Sequence, residues 1–371
     1  MSSLDIRRNL FAIVSVVAAL LVTDSTAIAQ DWQANAPESW TKTVTAARLE
    51  GIVVVAGRPE FAQALSAAFK KDTGITAEFL EGEGREQLSR LAREIRANQV
   101  TIDLLMGGQS LLPFVKDGQL MPVGPQLVLP GVVDPAAWTD HKIKWVDKDG
   151  KYLLQTSHEI FGKPVFNSDI IKPGDITSWQ DLLKPEYKGK IAAWDPTLGA
   201  GQAAAGYLID VFGIDFVKRL FMQQDVKVTR VDRQLMEWLS RGAYPIALGA
   251  VAVEVGRFKE AGVKNITVGE MKDGPGAIIG GSSVIGEPTR APHPNAATVF
   301  LNWYASKPAQ EIYSQIKKVP SRRVDVTTEG IPDYVIPKPN VDYIDQYTED
   351  WYMEKFLAKY RDELIDAVGG R

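Results

Sequence analysis

Arginine side chains and small, glycine-rich turns follow several of the predicted strands in this 371-residue chain. Arg58, Arg85 and Arg233 stand in such turns, and the turns at 108–110 and 197–201 place small residues where a helix is predicted to begin. A helix start offers free backbone N–H groups and a partial positive charge to an anion. Arginine adds a planar donor fork that suits a carboxylate or a phosphonate. The combination predicts that these turns bind a small anionic ligand.

The candidate ligand-binding residues are those that follow strand ends, together with one histidine on a predicted connecting strand. They are Arg58, Arg85, Gln109, Ser110, Thr197, Gly199, Gln202, Arg233 and His158. Each arginine also has an acid nearby in the sequence, among Glu60, Glu81, Glu83 and Asp232, so an ion pair or a solvent-exposed position is the alternative for each. We expect at least one of the arginines to reach the ligand.

Catalytic and metal-binding patterns are sparse. The chain has no cysteine, which excludes thiol catalysis, disulfide bonds and cysteine-bound metals. His141, His158 and His293 are widely spaced, and none of them forms an i, i+4 metal-binding pair. The sequence contains neither a P-loop nor a nucleophile elbow. We predict no catalytic residue, no metal ligand and no cofactor, although a hydrolase with paired carboxylates is compatible with the composition.

Composition and charge limit the class of protein. An apolar content of 45% with 24% charged residues is ordinary for a globular protein, and the length suits two domains. The net charge of −4 argues against a nucleic-acid partner, because nonspecific binding to nucleic acid needs a basic face.

The first 29 residues have the pattern of a secretory signal peptide. Arg7 and Arg8 precede the apolar run 10–22, and a small-x-small site ends at Ala29. We predict cleavage after Ala29 and a periplasmic location, with the Sec and Tat routes both open. A membrane anchor is the alternative, but the run is shorter than the roughly 20 residues that span a bilayer.

Strand and helix patterns alternate after residue 50. Residues 30–46 are interpreted as a leader segment. The predicted strands are 52–55, 75–80, 102–106, 191–194, 226–231, 245–249 and 266–268. The predicted helices are 61–72, 85–98, 111–116, 178–183, 202–211, 214–223, 234–241, 252–261, 295–305, 308–317 and 349–368. Such alternation predicts parallel strands joined by helical crossovers.

The elements divide into two lobes. The first is predicted to comprise 47–157 and 283–371, and the second to comprise 158–282. The segments 157–167 and 275–283 cross between the lobes, which is the geometry of a hinge. Ligands of such α/β proteins bind at the carboxyl ends of the strands, which here face the cleft between the lobes.

Several segments carry a family likeness. They are FNSD at 166–169, SWQDLL at 178–183, PEYKGKI at 185–191, DP at 195–196, PNAA at 294–297 and FLNW at 300–303. In this order they resemble the periplasmic solute-binding proteins of ABC importers, within the type II branch that includes ferric-iron, thiamine, polyamine and phosphonate binders. The resemblance covers residues 50–325.

The resemblance implies a monomeric two-lobe protein that captures a solute and delivers it to a membrane permease, without catalysis. We predict a small anionic organic solute. A ferric or metal-anion cargo is the first alternative, and a secreted enzyme that uses the cleft is the second. Ferric binders of this family commonly carry adjacent tyrosines after a strand of the second lobe. Residues 248–252 read LGAVA at that place, which weakens the iron hypothesis.

Overall fold

The computed structural model describes residues 32–82, 84–274 and 276–368. The predicted signal peptide and its cleavage site therefore lie outside the described residues. Within the described ranges, none of the helices combines the length and the apolar composition needed to cross a membrane.

The strands within the described residues are short and follow one another along most of the chain. They are β1 (Ile52–Gly57), β2 (Thr76–Glu81), β3 (Leu104–Gly107), β4 (Leu120–Met121), β5 (Lys144–Trp145), β6 (Leu154–Gln155), β7 (Glu159–Phe161), β8 (Val165–Asn167), β9 (Ile191–Trp194), β10 (Lys227–Thr229), β11 (Ile246–Leu248), β12 (Ile266–Val268), β13 (Ala277–Ile279), β14 (Val284–Pro288) and β15 (Ile344–Asp345).

The helices within the same residues alternate with these strands. They are α1 (Glu38–Glu50), α2 (Pro59–Thr73), α3 (Gly84–Arg96), α4 (Leu112–Lys116), α5 (Pro130–Val133), α6 (Gly199–Phe212), α7 (Ile214–Lys218), α8 (Asp232–Ser240), α9 (Ala252–Glu260), α10 (Pro294–Tyr304), α11 (Lys307–Lys317) and α12 (Arg361–Ala367). A wider helical segment, Asp350–Tyr360, leads into α12.

The first lobe is built on a seven-stranded sheet of order β2-β1-β3-β14-β6-β5, with β4 paired to β14. Its βα units give the expected parallel pairs of β1 with β2 and β3. Strand β14 is antiparallel to β3, because the chain enters it from the crossing segment and not from a helical crossover. Helices α2 and α10 cover the sheet, where the ring of Phe69 lies 5.0 Å from that of Phe300 and 5.2 Å from that of Trp303.

The second lobe is built on a five-stranded sheet of order β10-β9-β11-β8-β12. Strand β9 is parallel to β10 and β11, while β8 runs antiparallel to β11 and β12. The predicted short helix after β8 is a 3₁₀ turn over Trp179–Leu183. Ser178 and Asp181 form a reciprocal capping box at its start.

The two predicted crossing segments lie side by side. Strand β13 pairs antiparallel with β7, and β15 joins the other edge of β13. The backbone N–H of Ser157 donates to Ser283 Oγ at 3.0 Å where both segments enter the first lobe. This three-stranded unit is the physical form of the predicted hinge.

Helix α1 and the C-terminal tail, which we define as residues 319–368, make packing contacts that the sequence did not predict. Helix α1 takes up the second half of the predicted leader 30–46 and packs on α10, with Trp40 buried in the first lobe. The C-terminal tail contacts both lobes. In it, Arg323 donates to the carbonyl of Ala305 in the first lobe, and Trp351 donates to Asp210 on α6 in the second. The prediction that places all of 283–371 in the first lobe is therefore incomplete for this tail, because its apolar side chains are buried against α6.

Candidate functional site

Arg58 lies between the two lobes at the end of β1. It is the extended N-cap residue of α2, whose first helical residue is Pro59. Its Nε donates to Glu60 Oε1 at 2.8 Å, and its Nη2 lies 3.5 Å from Asp232 Oδ2 at the start of α8. Because Glu60 and Asp232 belong to different lobes, this arginine joins the two sides of the cleft.

Glu60 is shared by two cations. Lys317, at the end of α11, lies 2.6 Å from Glu60 Oε1, and both side chains are almost fully buried. Burial acts to raise the pKa of Glu60, but the charges of Lys317 and Arg58 outweigh it and lower the pKa to about 2. Glu60 is therefore ionised throughout the physiological range.

The second lobe contributes Trp194 and Asp232. Trp194 ends β9, and its Nε1 donates to Asp232 Oδ1 at 2.6 Å. Burial raises the pKa of Asp232, while Arg58 and the bond from Trp194 oppose that shift. We call Arg58, Glu60, Asp232 and Lys317 the interlobe ion cluster. It contains two positive and two negative side chains.

A buried carboxyl group of the hinge adjoins this cluster. Glu159 begins β7 and is 9% exposed, and among the described residues no group donates a hydrogen bond to its carboxylate. Burial raises the pKa of Glu159 to about 7, against the opposing charge of Lys317. The hydroxyl of Tyr334, from the C-terminal tail, is also buried without a partner within the described ranges.

The turns after β3 and β9 hold five of the predicted ligand-binding residues. Gln109 is 5% exposed and its Oε1 has no partner among the described residues, while the neighbouring Ser110 is half-buried. Thr197 donates its hydroxyl to Asp195 Oδ1 at 2.6 Å, so its side chain closes the turn internally. Gly199 begins α6, where an added Cβ would lie 3.8 Å from the Trp194 ring, and Gln202 is buried one turn later.

Two predicted residues lie in other surroundings. The Arg233 side chain is 78% exposed, and its Nε donates to Glu237 on the next turn of α8. The pKa of His158 falls to about 3 because the ring is buried and near the charge of Arg322, so the imidazole is neutral and faces the C-terminal tail. The side chain of Arg85, in the first turn of α3, is outside what the structure describes. The roles of these side chains in ligand binding stay predictions.

The sequence patterns did not single out Glu159, Lys317 or Tyr334. Glu159 had a usable signal, since it follows His158 on the crossing strand and successive strand residues point to opposite sides. The two side chains must therefore lie on opposite sides of the strand. Lys317 and Tyr334 gave no such signal, because their approach depends on how distant segments fold together.

Metal-binding side chains do not converge in the described part of the chain. No group of three or more histidine, aspartate or glutamate residues there has the arrangement of a metal site. The junction of β11 and α9 is formed by small apolar residues, Gly249 to Ala252. The nearby cleft presents the cations Arg58 and Lys317.

The chain is similar to a known family over most of its length. The family model described as bacterial extracellular solute-binding protein matches residues 64–335. No curated protein sequence gives a significant match.

Solved structures with the same fold include several periplasmic binding proteins. The ferric binding protein from Campylobacter jejuni is 17% identical, with a TM-score of 0.68 over 86% of this chain and 99% of that one. The Trichodesmium IdiA (FutA) protein in complex with iron and citrate is 20% identical, with a TM-score of 0.64 over 86% and 100%. The AfuA protein from Actinobacillus pleuropneumoniae, with fructose-6-phosphate bound, is 18% identical, with a TM-score of 0.62 over 84% and 98%. These matches confirm the two-lobe type II fold.

Proposed function

The chain belongs to the bacterial extracellular solute-binding protein family, and we propose that it captures a small organic solute with an acidic group in the cleft between its lobes. As a member of this family it is the periplasmic solute-binding component of an ABC importer, and it delivers its ligand to the permease. The acidic solute, the monomeric state and the absence of catalysis are parts of the proposal.

The contact of Arg58 with Asp232 carries the proposal. At 3.5 Å it is a long contact, and burial disfavours the charge of Asp232. A ligand carboxylate or phosphate can take the place of Asp232 at the guanidinium Nη2 and form shorter, charge-assisted bonds there. Because Arg58 and Asp232 lie on opposite lobes, a ligand bound at this position lies between the lobes. Its contacts with both lobes then favour their closed arrangement.

The alternative cargoes fit this place less well. A ferric ion would meet Arg58 and Lys317, whose charges repel a cation at short range. Two proteins of the same fold have been solved with iron, namely iron-bound HitA from Pseudomonas aeruginosa and the Trichodesmium protein in complex with iron and citrate. At 17% and 20% identity they support the fold alone. A cleft enzyme would need paired acids across the cleft, whereas Glu60 and Asp232 are both committed to Arg58.

Isothermal titration with ethyl phosphate, propanoate, citrate, ferric citrate and spermidine tests the proposal. We expect an acidic probe to bind the native protein and Arg58→Ala to weaken that binding by about 10- to 100-fold, the size expected for a charge-assisted bond. Arg233→Ala is the matched comparison, because its guanidinium bonds only along its own helix. Binding of ferric citrate but not of citrate, or equal affinities in the Arg58→Ala variant and the native protein, would contradict the acidic solute. Recovery of a chemically altered probe would contradict the absence of catalysis.

A further inference from the structure

The carboxylate of Glu159 is a buried acceptor without a donor. Strand β7 places it at the hinge, where a Cβ on Gly281 would lie 3.1 Å from Glu159 Oε1. No described residue donates to it, and its exposed fraction of 9% leaves little room for bulk water. An isolated buried carboxylate is costly unless a donor or a counter-charge accompanies it. The described residues therefore leave the Glu159 carboxylate without a hydrogen-bond donor, and a ligand can supply one.

The hydroxyl of Tyr334 is a second unpartnered polar group at the same place. The C-terminal tail brings it to a small cavity that Glu159 also lines. The cavity measures about 20 Å³, and its remaining lining includes Ala250, Val255 and Val335. That volume is enough for one group of the size of a water molecule. Lys163 also lines the cavity, but its ammonium group is already bonded to Glu270. The carboxylate of Glu159 and the phenol of Tyr334 form a set of acceptors that suits a second ammonium group, which offers three donors.

Among the described residues, Glu159 is an acid at this cavity that lacks a bonded cation, because Lys163 pairs with Glu270. Within the interlobe ion cluster, Arg58 and Lys317 balance Glu60 and Asp232. Lys317 is the cation that acts on Glu159, but its Nζ lies 2.6 Å from Glu60. Glu159 is therefore the surplus acid, and a positive charge on the ligand would balance it.

We propose that Glu159 and Tyr334 bind a protonated amine of the captured solute, which makes the solute a zwitterion. This rests on the proposed function, because the acidic end of the solute is assigned to Arg58. The amine enters the hinge cavity, and the hinge closes over it because β7 and the C-terminal tail contribute one acceptor each.

Matched probe pairs test the amine subsite by isothermal titration. The pairs are ethyl phosphate with 2-aminoethyl phosphate, and propanoate with 3-aminopropanoate. Methylammonium chloride, compared with sodium chloride in a thermal-shift measurement, tests the amine alone. We expect the amine to improve affinity about 10- to 100-fold in the native protein, which is the size of a charge-assisted bond. Methylammonium should raise the melting temperature where sodium does not.

Three variants decide which side chains are responsible. Glu159→Gln and, independently, Tyr334→Phe should reduce the preference for the aminated probe while leaving the affinity for its amine-free partner unchanged. Glu287→Gln is the matched control. Glu287 is also a buried carboxyl group, and its pKa is likewise raised to about 7 by burial, but it accepts a hydrogen bond from Gln126 in the first lobe.

The outcomes separate this proposal from the proposed function. Equal affinity within both probe pairs and no effect of methylammonium overturn the amine subsite, and the acidic solute then stands on its own test. An amine preference that Glu159→Gln and Tyr334→Phe leave intact also overturns it. Binding of methylammonium and spermidine with no binding of ethyl phosphate or propanoate would overturn the zwitterion and the acidic solute together, leaving a site for cations.

Discussion

Glu60 and Glu159 are two buried carboxyl groups that lie near the same lysine, yet their acidities differ greatly. Lys317 and Arg58 lower the pKa of Glu60 to about 2, whereas burial raises the pKa of Glu159 to about 7. Exposure does not explain the contrast, because both side chains are nearly inaccessible. The difference lies in bonded partners. Glu60 is bonded to Arg58 and Lys317. Among the described residues, the cation that acts on Glu159 is Lys317, which is already bonded to Glu60.

The comparison distinguishes a carboxylate that is bonded within the protein from a carboxylate whose partner we assign to the ligand. Glu60, Asp232, Arg58 and Lys317 form a neutral, bonded unit that spans the cleft. Glu159 and Tyr334 are unbonded acceptors at a junction of β7 with the C-terminal tail. A buried polar group without a partner is a reason to look for an absent molecule.

Removing Lys317 should give the largest effect on stability. Lys317→Met leaves Glu60 with Arg58 as its remaining partner, and breaking a buried ion pair typically costs about 3–5 kcal/mol. Urea denaturation of the two proteins measures the change. Lys307→Met is the control, because Lys307 pairs with Glu311 near the surface, where such pairs contribute about 0–1 kcal/mol. Equal losses in the two variants would show that the interlobe ion cluster is no stronger than a surface pair.

Glu60 and Glu159 should affect stability at opposite ends of the pH range. The lowered pKa of Glu60 contributes stability above pH 4.5, and that contribution is lost as the pH falls towards 2. The raised pKa of Glu159 contributes stability that is complete below pH 4.5 and is lost as the pH rises through 7. For Glu159 the size is about 3 kcal/mol, since its pKa rises from 4.5 to about 7 and one pKa unit corresponds to about 1.4 kcal/mol.

Urea denaturation between pH 2 and 8.5 measures this dependence. Glu159→Gln should flatten the loss between pH 5 and 8 and leave the acid side unchanged. Glu287→Gln should remove a separate part of the same loss, because the pKa of Glu287 is also raised. The charged or titratable groups that act on Glu159 are Lys317 and Tyr313 from α11 and Tyr334 and Tyr347 from the tail. Burial raises the pKa of each phenol further above this range, so a profile that Glu159→Gln leaves unaltered would refute the assignment.

Trp194→Phe should have an intermediate effect. The variant keeps the ring but removes the Nε1 donor to Asp232, which leaves one oxygen of a buried carboxylate without its bond. Such a loss costs about 1–3 kcal/mol. Thermal unfolding checks it. Trp238→Phe, on the same lobe, serves as a comparison because Trp238 packs on Tyr244 and bonds to no acid among the described residues. A loss in Trp194→Phe no greater than in Trp238→Phe would argue that the bond contributes nothing.

Arg233→Ala should change stability least. Its guanidinium is exposed and pairs with Glu237 at i, i+4, and pairs of this kind contribute about 0.3–0.5 kcal/mol. A loss above about 1 kcal/mol in urea denaturation would indicate that Arg233 makes a further contact in solution, and would restore it as a ligand-binding candidate.

Local patterns predicted the fold well where structure depends on neighbours in sequence. Strand β9 has the predicted bounds, Ile191–Trp194. The 3₁₀ turn Trp179–Leu183, which Ser178 caps, lies within the predicted helix 178–183. Alternation and helix caps act over a few residues, so they are visible in one sequence. The role of the C-terminal tail was not visible, because its helical period does not show that its partner surface is α6.

The candidate site could be predicted only in outline. Arg58 was identified because cleft residues follow strand ends, and the same reasoning also selected Arg233, which turns out along its own helix. Position after a strand does not determine where a side chain points. The bond from Lys317 to Glu60 joins residues 257 apart in sequence, and a spacing of that size carries no local signal.

The attachment of the C-terminal tail limits how far the lobes can swing apart. One end of the tail is anchored by Arg323 in the first lobe and the other by Trp351 against Gly206 in the second, where a Cβ would approach the indole to 2.5 Å. Between them, β15 is bonded to the crossing strand β13. Opening must therefore rotate the tail with the second lobe about a pivot near Arg323, or peel it away. In the first case Tyr334 moves together with the second-lobe residues that line its cavity, such as Ala250 and Val255, and the anchor at Arg323 limits the amplitude of opening.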